Sequence, residues 1–311
     1  MTNHSPKSGS GSFPSHKPAT HGAWFVLIGA FLISFSGVFV KWAHVSPSVA
    51  GFYRTFIGGL ALAAVLFVRR EHKWYGTKWL ILSGCCGVLF ALDLFFWHRS
   101  IHFIGPGLST ILANFQIFFL ALFGILILKE KLKGPLIAAI PLAMIGLYLL
   151  AGVQWNRLGP TYRTGVWLGL AAAACYAAYL LVLRKVQGSR QMPSPMVSLM
   201  VISFVSAALL GAESFVKGEK FIIPDVQTLA SLFSYGILSQ VIGWVLITKG
   251  LPCVPSSLAG LLLLLQPTLS FVWDILFFNR PTTLIDTTGA LMALCAIYLG
   301  TVAGMTKQKH S

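Results

Sequence analysis

Two charged side chains stand inside otherwise apolar runs, and their types are the ones that could do chemistry. Arg54 lies about seven residues into the run 47–68, and Asp93 about five residues before the end of the run 78–98. A charge within a membrane-spanning helix is costly, so each marks a site with a partner to be named. At 1.5 Å per residue both fall roughly 8 to 10 Å below one surface. An ion pair between them would reduce the cost of burying either. Functionally, Arg54 would meet an anionic group of a substrate, and Asp93 would answer a cationic group or carry a proton. Structurally, the pair would only fix helix packing, or Arg54 would snorkel to water along its own stem.

Amides, hydroxyls and rings cluster near mid-depth: Ser34, Ser36, Asn114, Gln116, Tyr176, Gln240 and Gln266. Such groups either line a polar path or hydrogen-bond between helices. Asn114 and Gln116 are two residues apart, about 200° around an α-helix, and are not expected to share a face. Tyr176 and Tyr179, three apart, are. Trp97, Trp244 and Trp273 offer aromatic walls, although Trp97 at a span end reads better as an interfacial anchor. The candidate substrate-binding set is Arg54, Asp93, Gln116, Gln266, Tyr176, Gln240 and Trp244, with Asp93 also the candidate for proton coupling.

His98 and His102 form an H-x-x-x-H pair, but a metal site needs a third ligand, and Asp93 is off that face. Interfacial histidines are the expectation, with no metal and no cofactor. Asp274, about a turn from the end of its run, is either interfacial or functional. The five cysteines (Cys85, Cys86, Cys175, Cys253, Cys295) lack metal-ligand spacing and read as small buried hydrophobes.

The elements that must position these residues follow from composition. Of 311 residues, 56% are hydrophobic and only 10% charged, whereas a soluble domain carries about 25% charged residues. The net charge of +15 does not indicate a nucleic-acid partner, because the charges sit in short breaks between apolar runs rather than on one surface. Spans of about 20 apolar residues are expected at 23–43, 47–68, 78–98, 106–128, 134–153, 163–183, 194–215, 229–249, 255–278 and 284–305. Residues 1–22 read as a disordered tail, residues 306–311 as a short second one, and the longest internal break, 217–227, as a solvated loop.

The pattern repeats. Arg99-Ser100 aligns with Lys249-Gly250, Gln116-Ile117 with Gln266-Pro267, and Leu147-Tyr148 with Ile297-Tyr298, at a spacing of about 150 residues. Earlier, Ser46-Pro47-Ser48-Val49 echoes Ser194-Pro195-Met196-Val197. Each unit, 23–153 and 163–305, would hold five spans. Five is odd, so the second copy must cross in the opposite sense, an arrangement that places a transporter's substrate site near the midplane. With the N-terminus inside, 15 Lys and Arg fall on the inner side and 7 on the outer, which predicts cytoplasmic termini. Arg54 and Asp93 have Ile202 and Gly243 as repeat mates, so their chemistry belongs to one half.

The chain resembles the drug/metabolite transporter superfamily, the ten-helix group built from two EamA-type repeats. The carriers are the Ser46-Pro47 opening with Arg54, the Gly105-Pro106-Gly107 entry to span four, the Lys129-Glu130-Lys131-Leu132 close of that span, and Gln266-Pro267. Two departures stand out. Gln116-Ile117 lacks the Pro common in the family, which predicts a straighter span four. Arg280 replaces the usual hinge acid.

The resemblance implies an all-α integral membrane protein of the bacterial inner membrane. Its function would be secondary transport, often export, of small organic solutes such as amino acids or related metabolites, by rocking two inverted halves. A proton carried on Asp93 is the expected coupling. No G-x-x-x-x-G-K-[ST] motif provides for ATP. The expected partners are the solute, the lipid bilayer and, through Gly300-x-x-x-Gly304, a homodimer contact. An intramembrane lipid- or prenyl-modifying enzyme is the alternative; it would need paired acids or a His–acid couple, and with eight acids in all and no D-D-x-x-D run a non-enzyme is the expectation.

Overall fold

The computed structural model describes residues 19–71, 76–126, 134–149, 159–187, 194–250, 262–263 and 265–305. The hinge around Glu130, Cys253 and the residues after 305 lie outside them, as do the side chains of the Gly300–Gly304 pair. The described secondary structure is helical: α1 Ala19–Ser34, α2 Ser36–Trp42, α3 Pro47–Val68, α4 Thr77–Ile104, α5 Pro106–Ala113, α6 Gln116–Leu126, α7 Gly134–Leu147, α8 Pro160–Gln187, α9 Pro195–Val216 and α10 Val226–Ser234. A π-helical segment, Tyr235–Gly243, continues α10 into α11 Trp244–Gly250, and α12 Leu265–Phe278 and α13 Leu284–Met305 follow. The first helix thus begins a few residues ahead of the expected boundary.

Local sequence explains where helices start and stop. α3, α5, α8 and α9 each open on a proline, where the missing N–H is one the helix would leave unpaired anyway. Ser46 caps α3 by accepting from Val49 N, and Asp225 caps α10 by accepting from Thr228 N. Gly105 ends α4 at φ +84° and ψ 160°, a conformation essentially restricted to glycine that costs a side-chain-bearing residue about 1–3 kcal/mol.

Among the described residues, six helices are long and apolar enough to cross a membrane: Gly22–Trp42, Pro47–Val68, Thr77–Ile104, Pro160–Leu183, Met196–Val216 and Val226–Ile247. Four shorter apolar helices lie at Pro106–Leu120, Ile137–Gly146, Leu265–Phe278 and Leu284–Leu299. The outer surface carries large apolar side chains: Phe67, Val68, Phe215, Val216 and Trp167 all project outward. With backbone groups satisfied inside each helix, that surface suits hydrocarbon.

α4 is the central element. It packs along α8 and α9, while α3 packs on α9 and on the π segment; α1 meets α11 and the π segment, α5 meets α12, and α7 meets α13. Phe90, Leu94, Trp97 and Ile101 of α4 bury against Ala172 and Tyr179 of α8, Ile202 and Leu210 of α9, and Tyr235. A second cluster joins Leu108, Ile111 and Phe115 to Phe271, Ala293 and Ile297.

Three expectations are corrected. α4 continues through residues 99–104, past the expected end of the run at residue 98, so Asp93 lies eleven residues from the helix end, about 16 Å along the axis. Span four is not straight: it breaks at Asn114-Phe115 without a proline. The Asn114 side-chain amide donates to Thr110 O at 2.8 Å, competing with the backbone ladder. Arg54 does not snorkel; it is 5% exposed and turned inward. The 217–227 connection is the solvated loop the sequence suggests as far as the start of α10, and it is tethered to the bundle: Ser46 donates to Glu219, Tyr53 to Phe221 O, and His44 meets Asp225 at 2.8 Å.

Candidate functional site

The breaks in these helices leave a cavity of about 120 Å³. Its wall comes from both halves of the chain: Ser34, Ser36 and Gly37 at the α1–α2 break, Arg54 of α3, Phe90, Asp93, Leu94 and Trp97 of α4, Thr110, Asn114 and Gln116 around the α5–α6 break, Tyr176 of α8, Trp244 of α11 and Gln266 of α12. Six of the seven sequence candidates therefore meet in one place: Arg54, Asp93, Gln116, Tyr176, Trp244 and Gln266. Asn114 joins them beside Gln116, against expectation, because the turn at 114–115 resets the helical phase.

Arg54 and Asp93 form no ion pair with each other among the described residues. Arg54 Nε donates to Gln240 Oε1 at 2.7 Å and Nη1 to Tyr235 Oη at 2.7 Å. Its guanidinium carbon stands 4.6 Å from the Tyr235 ring centroid and 5.5 Å from that of Phe90, both within cation–π range. Asp93 has no hydrogen bond or ion pair among the described residues. The residue is 7% exposed and lines the cavity.

Gln240, the seventh candidate, is fully buried behind Arg54 and absent from the cavity wall. Its amide nitrogen donates to Ser203 Oγ at 3.2 Å, so its oxygen is the atom turned to Arg54.

The π segment explains why Tyr235 and Gln240 meet one guanidinium. In an α-helix residues five apart diverge by about 140°; i→i+5 bonding brings them nearly over one another. Helical periodicity read from sequence therefore separates two residues that the structure aligns, and no sequence signal singled out Tyr235.

Three polar atoms of wall residues are buried without a hydrogen-bond partner among the described residues: Ser36 Oγ, Trp97 Nε1 and Gln116 Oε1. They supply one donor, one acceptor and one group able to do either. Orphaned polar atoms in a lipid-embedded core are costly unless a ligand or water meets them. Trp97, expected as an interfacial anchor, is therefore part of the wall. Tyr176 stacks on Tyr179 at 5.5 Å, and the pair continues to Phe90.

The histidines do not form an interfacial pair. His98 is fully buried and His102 is exposed, because α4 runs on to Ile104 and places residue 98 deeper in the bundle and residue 102 in its last turn. His98 Nδ1 lies 2.6 Å from Leu94 O and Nε2 lies 3.0 Å from Tyr235 Oη.

Asp274 is structural and lies apart from the cavity. It pairs with Arg280 at 3.1 Å and accepts from Gly107 N at 3.1 Å, while Arg280 Nη1 donates to Ile104 O at 2.9 Å. This clamp joins α12 to the α4–α5 junction. A Cβ at Gly105 would fall 2.5 Å from Asp274 Oδ2, so the close approach needs glycine. Trp273 of α12 stacks on Phe35 at 4.7 Å and donates from Nε1 to Ser34 Oγ at 3.0 Å, which braces the α1–α2 break.

An all-helical multi-pass membrane protein with a cavity of mixed polar and apolar lining, walled by broken helices, is the class this geometry defines. The EamA-like transporter family model matches residues 20–152 and again 163–302, and the chain belongs to that family of membrane transporters. An "Uncharacterized transporter" of Haemophilus influenzae is 30% identical over 143 residues, 43% of this chain and 46% of that one; over that alignment the chain spans about half the length of its relative. The "Uncharacterized transporter YvbV" of Bacillus subtilis is 24% identical over 282 residues, 88% of this chain and 90% of that one. A solved crystal structure of a protein superposes with a TM-score of 0.61 at 16% identity, covering 91% of this chain and 98% of the other, a likeness of fold alone.

Proposed function

We propose that the protein is a secondary transporter of small zwitterionic solutes, amino acids or related metabolites, working by alternating access of two inverted five-helix halves. The observation that carries this reading is that Arg54 and Asp93 face one cavity without forming a salt bridge to each other. Each buried charge is expensive alone. A solute bearing a carboxylate and an ammonium satisfies both at once, and the orphaned atoms of Ser36, Trp97 and Gln116 can take up its remaining polar groups. The volume is of the order of the ~150 Å³ cavity that accommodates benzene, a scale that suits a small amino acid.

Several observations support ten spans in two inverted repeats, 23–153 and 163–305, between tails at 1–22 and 306–311. The family model matches twice. The helix packing is also nearly unchanged when the halves are exchanged: α4 on α8 answers α11 and the π segment on α1, while α3 on α9, α5 on α12 and α7 on α13 are self-matched. The Lys and Arg imbalance supports cytoplasmic termini in a bacterial inner membrane, and export is the direction the family resemblance favours. Proton coupling would use Asp93, the acid of the cavity wall that has no fixed partner. A homodimer through the last helix remains part of this reading.

The test is counterflow in proteoliposomes of purified protein, using neutral L-amino acids against their amides and decarboxylated amines, with and without an imposed pH gradient. Zwitterions should exchange, and the amides and amines should not. Exchange of amines with no exchange of amino acids would overturn the reading, and chemical conversion of a lipid or prenyl substrate in the same vesicles would favour an enzyme.

A further inference from the structure

Behind Arg54, and outside the cavity wall, lies a chain of hydrogen bonds that the transport reading does not use. Its polarity follows from the chemistry of the partners. Leu94 O can only accept, so His98 Nδ1 carries the hydrogen in the 2.6 Å contact. Arg54 can only donate, so Tyr235 Oη accepts at 2.7 Å. With a neutral imidazole, His98 Nε2 is left as an acceptor, and the Tyr235 hydroxyl hydrogen has one place to go, 3.0 Å away. Every group in the series Arg54 to Tyr235 to His98 to Leu94 O is then used without conflict between donors and acceptors. A doubly protonated His98 would leave the phenol accepting from two cations, with its own hydrogen unplaced.

The chain fixes where the guanidinium points. Gln240 holds Nε and is itself held by Ser203, and Tyr235 holds Nη1. Nη2 has no hydrogen bond among the described residues, although Arg54 is buried and lines the cavity. The backbones beneath are close: a Cβ at Gly58 would meet Gln240 Cγ at 2.5 Å, and one at Gly236 would meet Ile57 Cβ at 2.8 Å. Arg54 and His98 come from the first half of the chain, Tyr235 and Gln240 from the second. The binding arginine is therefore held by the opposite half.

We infer that Tyr235 and His98 are positioning residues, a relay that presents the free Nη2 edge of Arg54 to an anionic group and so determines specificity for carboxylate-bearing solutes. The inference rests on the reading that Arg54 receives the solute's carboxylate. It requires the order of hydrogens given above, with His98 neutral and protonated on Nδ1. Losing the relay leaves the charge of Arg54 in place and removes its aim. The consequence is a loss of apparent affinity for acids rather than a loss of turnover.

Two measurements separate the relay from the substrate reading. Long-range proton–nitrogen NMR of 15N-histidine-labelled protein in nanodiscs, with His98 assigned by difference from H98Q, should show a protonated Nδ1 and a bare Nε2 whose shift moves in Y235F. A protonated Nε2, or a His98 signal indifferent to Y235F, overturns the relay without reference to any ligand. In proteoliposomes with L-alanine, Y235F and H98L should raise KM about tenfold, the scale of losing a hydrogen bond to a charged group, at nearly constant maximal rate. The preference for L-alanine over L-alaninamide should shrink in step. H98Q, whose side-chain oxygen can accept from Tyr235, should recover most of the loss seen in H98L. A fall in maximal rate at constant KM, or equal losses for acid and amide, overturns the positioning role. The NMR signature in a wild-type protein that carries no amino acid supports the hydrogen-bond order and overturns the substrate reading.

Discussion

Arg54 and Asp93 line the same small cavity and leave each other unpaired. The guanidinium is held by Tyr235 and Gln240 of the second half, and the carboxylate is held by nothing among the described residues. A buried pair would have cancelled both charges and served packing alone. Apart, they leave a guanidinium from α3 and a carboxyl group from α4 on one cavity wall.

Asp93→Asn keeps the shape of the wall and removes its carboxyl group. A contact to a charged group contributes about 1.5–3 kcal/mol, so apparent affinity for a zwitterionic solute should fall roughly ten- to hundredfold. Any pH-gradient stimulation should vanish with it. Counterflow and gradient-driven uptake in the same vesicles check both, and undiminished gradient-driven uptake in this variant would remove Asp93 from coupling.

The Asp274–Arg280 clamp should behave as one unit. Removing a single partner of a buried pair leaves an uncompensated charge, at a cost of about 3–5 kcal/mol. Arg280→Met should therefore lower thermal stability more than the double change with Asp274→Asn. A double-mutant cycle on melting in detergent reads the coupling; additive losses would show that the two residues act independently.

Gly105→Ala combines two costs, a positive φ and a Cβ placed 2.5 Å from Asp274 Oδ2. A loss of about 2 kcal/mol or more is expected, seen as a lower melting temperature. Gly76 also has a positive φ, but a Cβ added there would meet nothing within 4 Å, so Gly76→Ala should lose only the backbone part.

Outside the spans, the His44 hydrogen bond, and then the Thr228 N–H, hold the Asp225 carboxyl below the usual carboxylate range. A depressed folded-state pKa contributes stability above the unfolded value, about 3.9, and that contribution is lost as pH falls through the lower folded value. The wild type should therefore lose melting temperature below about pH 4, and Asp225→Asn should flatten that part of the profile. An unchanged acid limb in Asp225→Asn would show that the contact at 2.8 Å contributes nothing to stability.

Much of this protein was legible along the chain. Apolar runs of spanning length, proline-opened helices and the scarcity of charge identified a membrane bundle and drew attention to Arg54 and Asp93, because hydrocarbon penalises every exposed polar group and so writes itself into composition. Six of the seven candidate residues came to one cavity for the same reason: polar groups at mid-depth must face inward. Tertiary structure decided how they meet. It turned Tyr235 and Gln240 to one side through a π segment, brought Asn114 and Gln116 together by breaking a helix, carried α4 far enough to bury His98, and gave Arg54 partners other than Asp93. Each depends either on a helical phase that breaks or runs on locally, as at Asn114 and Ile104, or on contacts between residues more than a hundred positions apart, as between Arg54 and Tyr235. A sequence read with one fixed period carries neither.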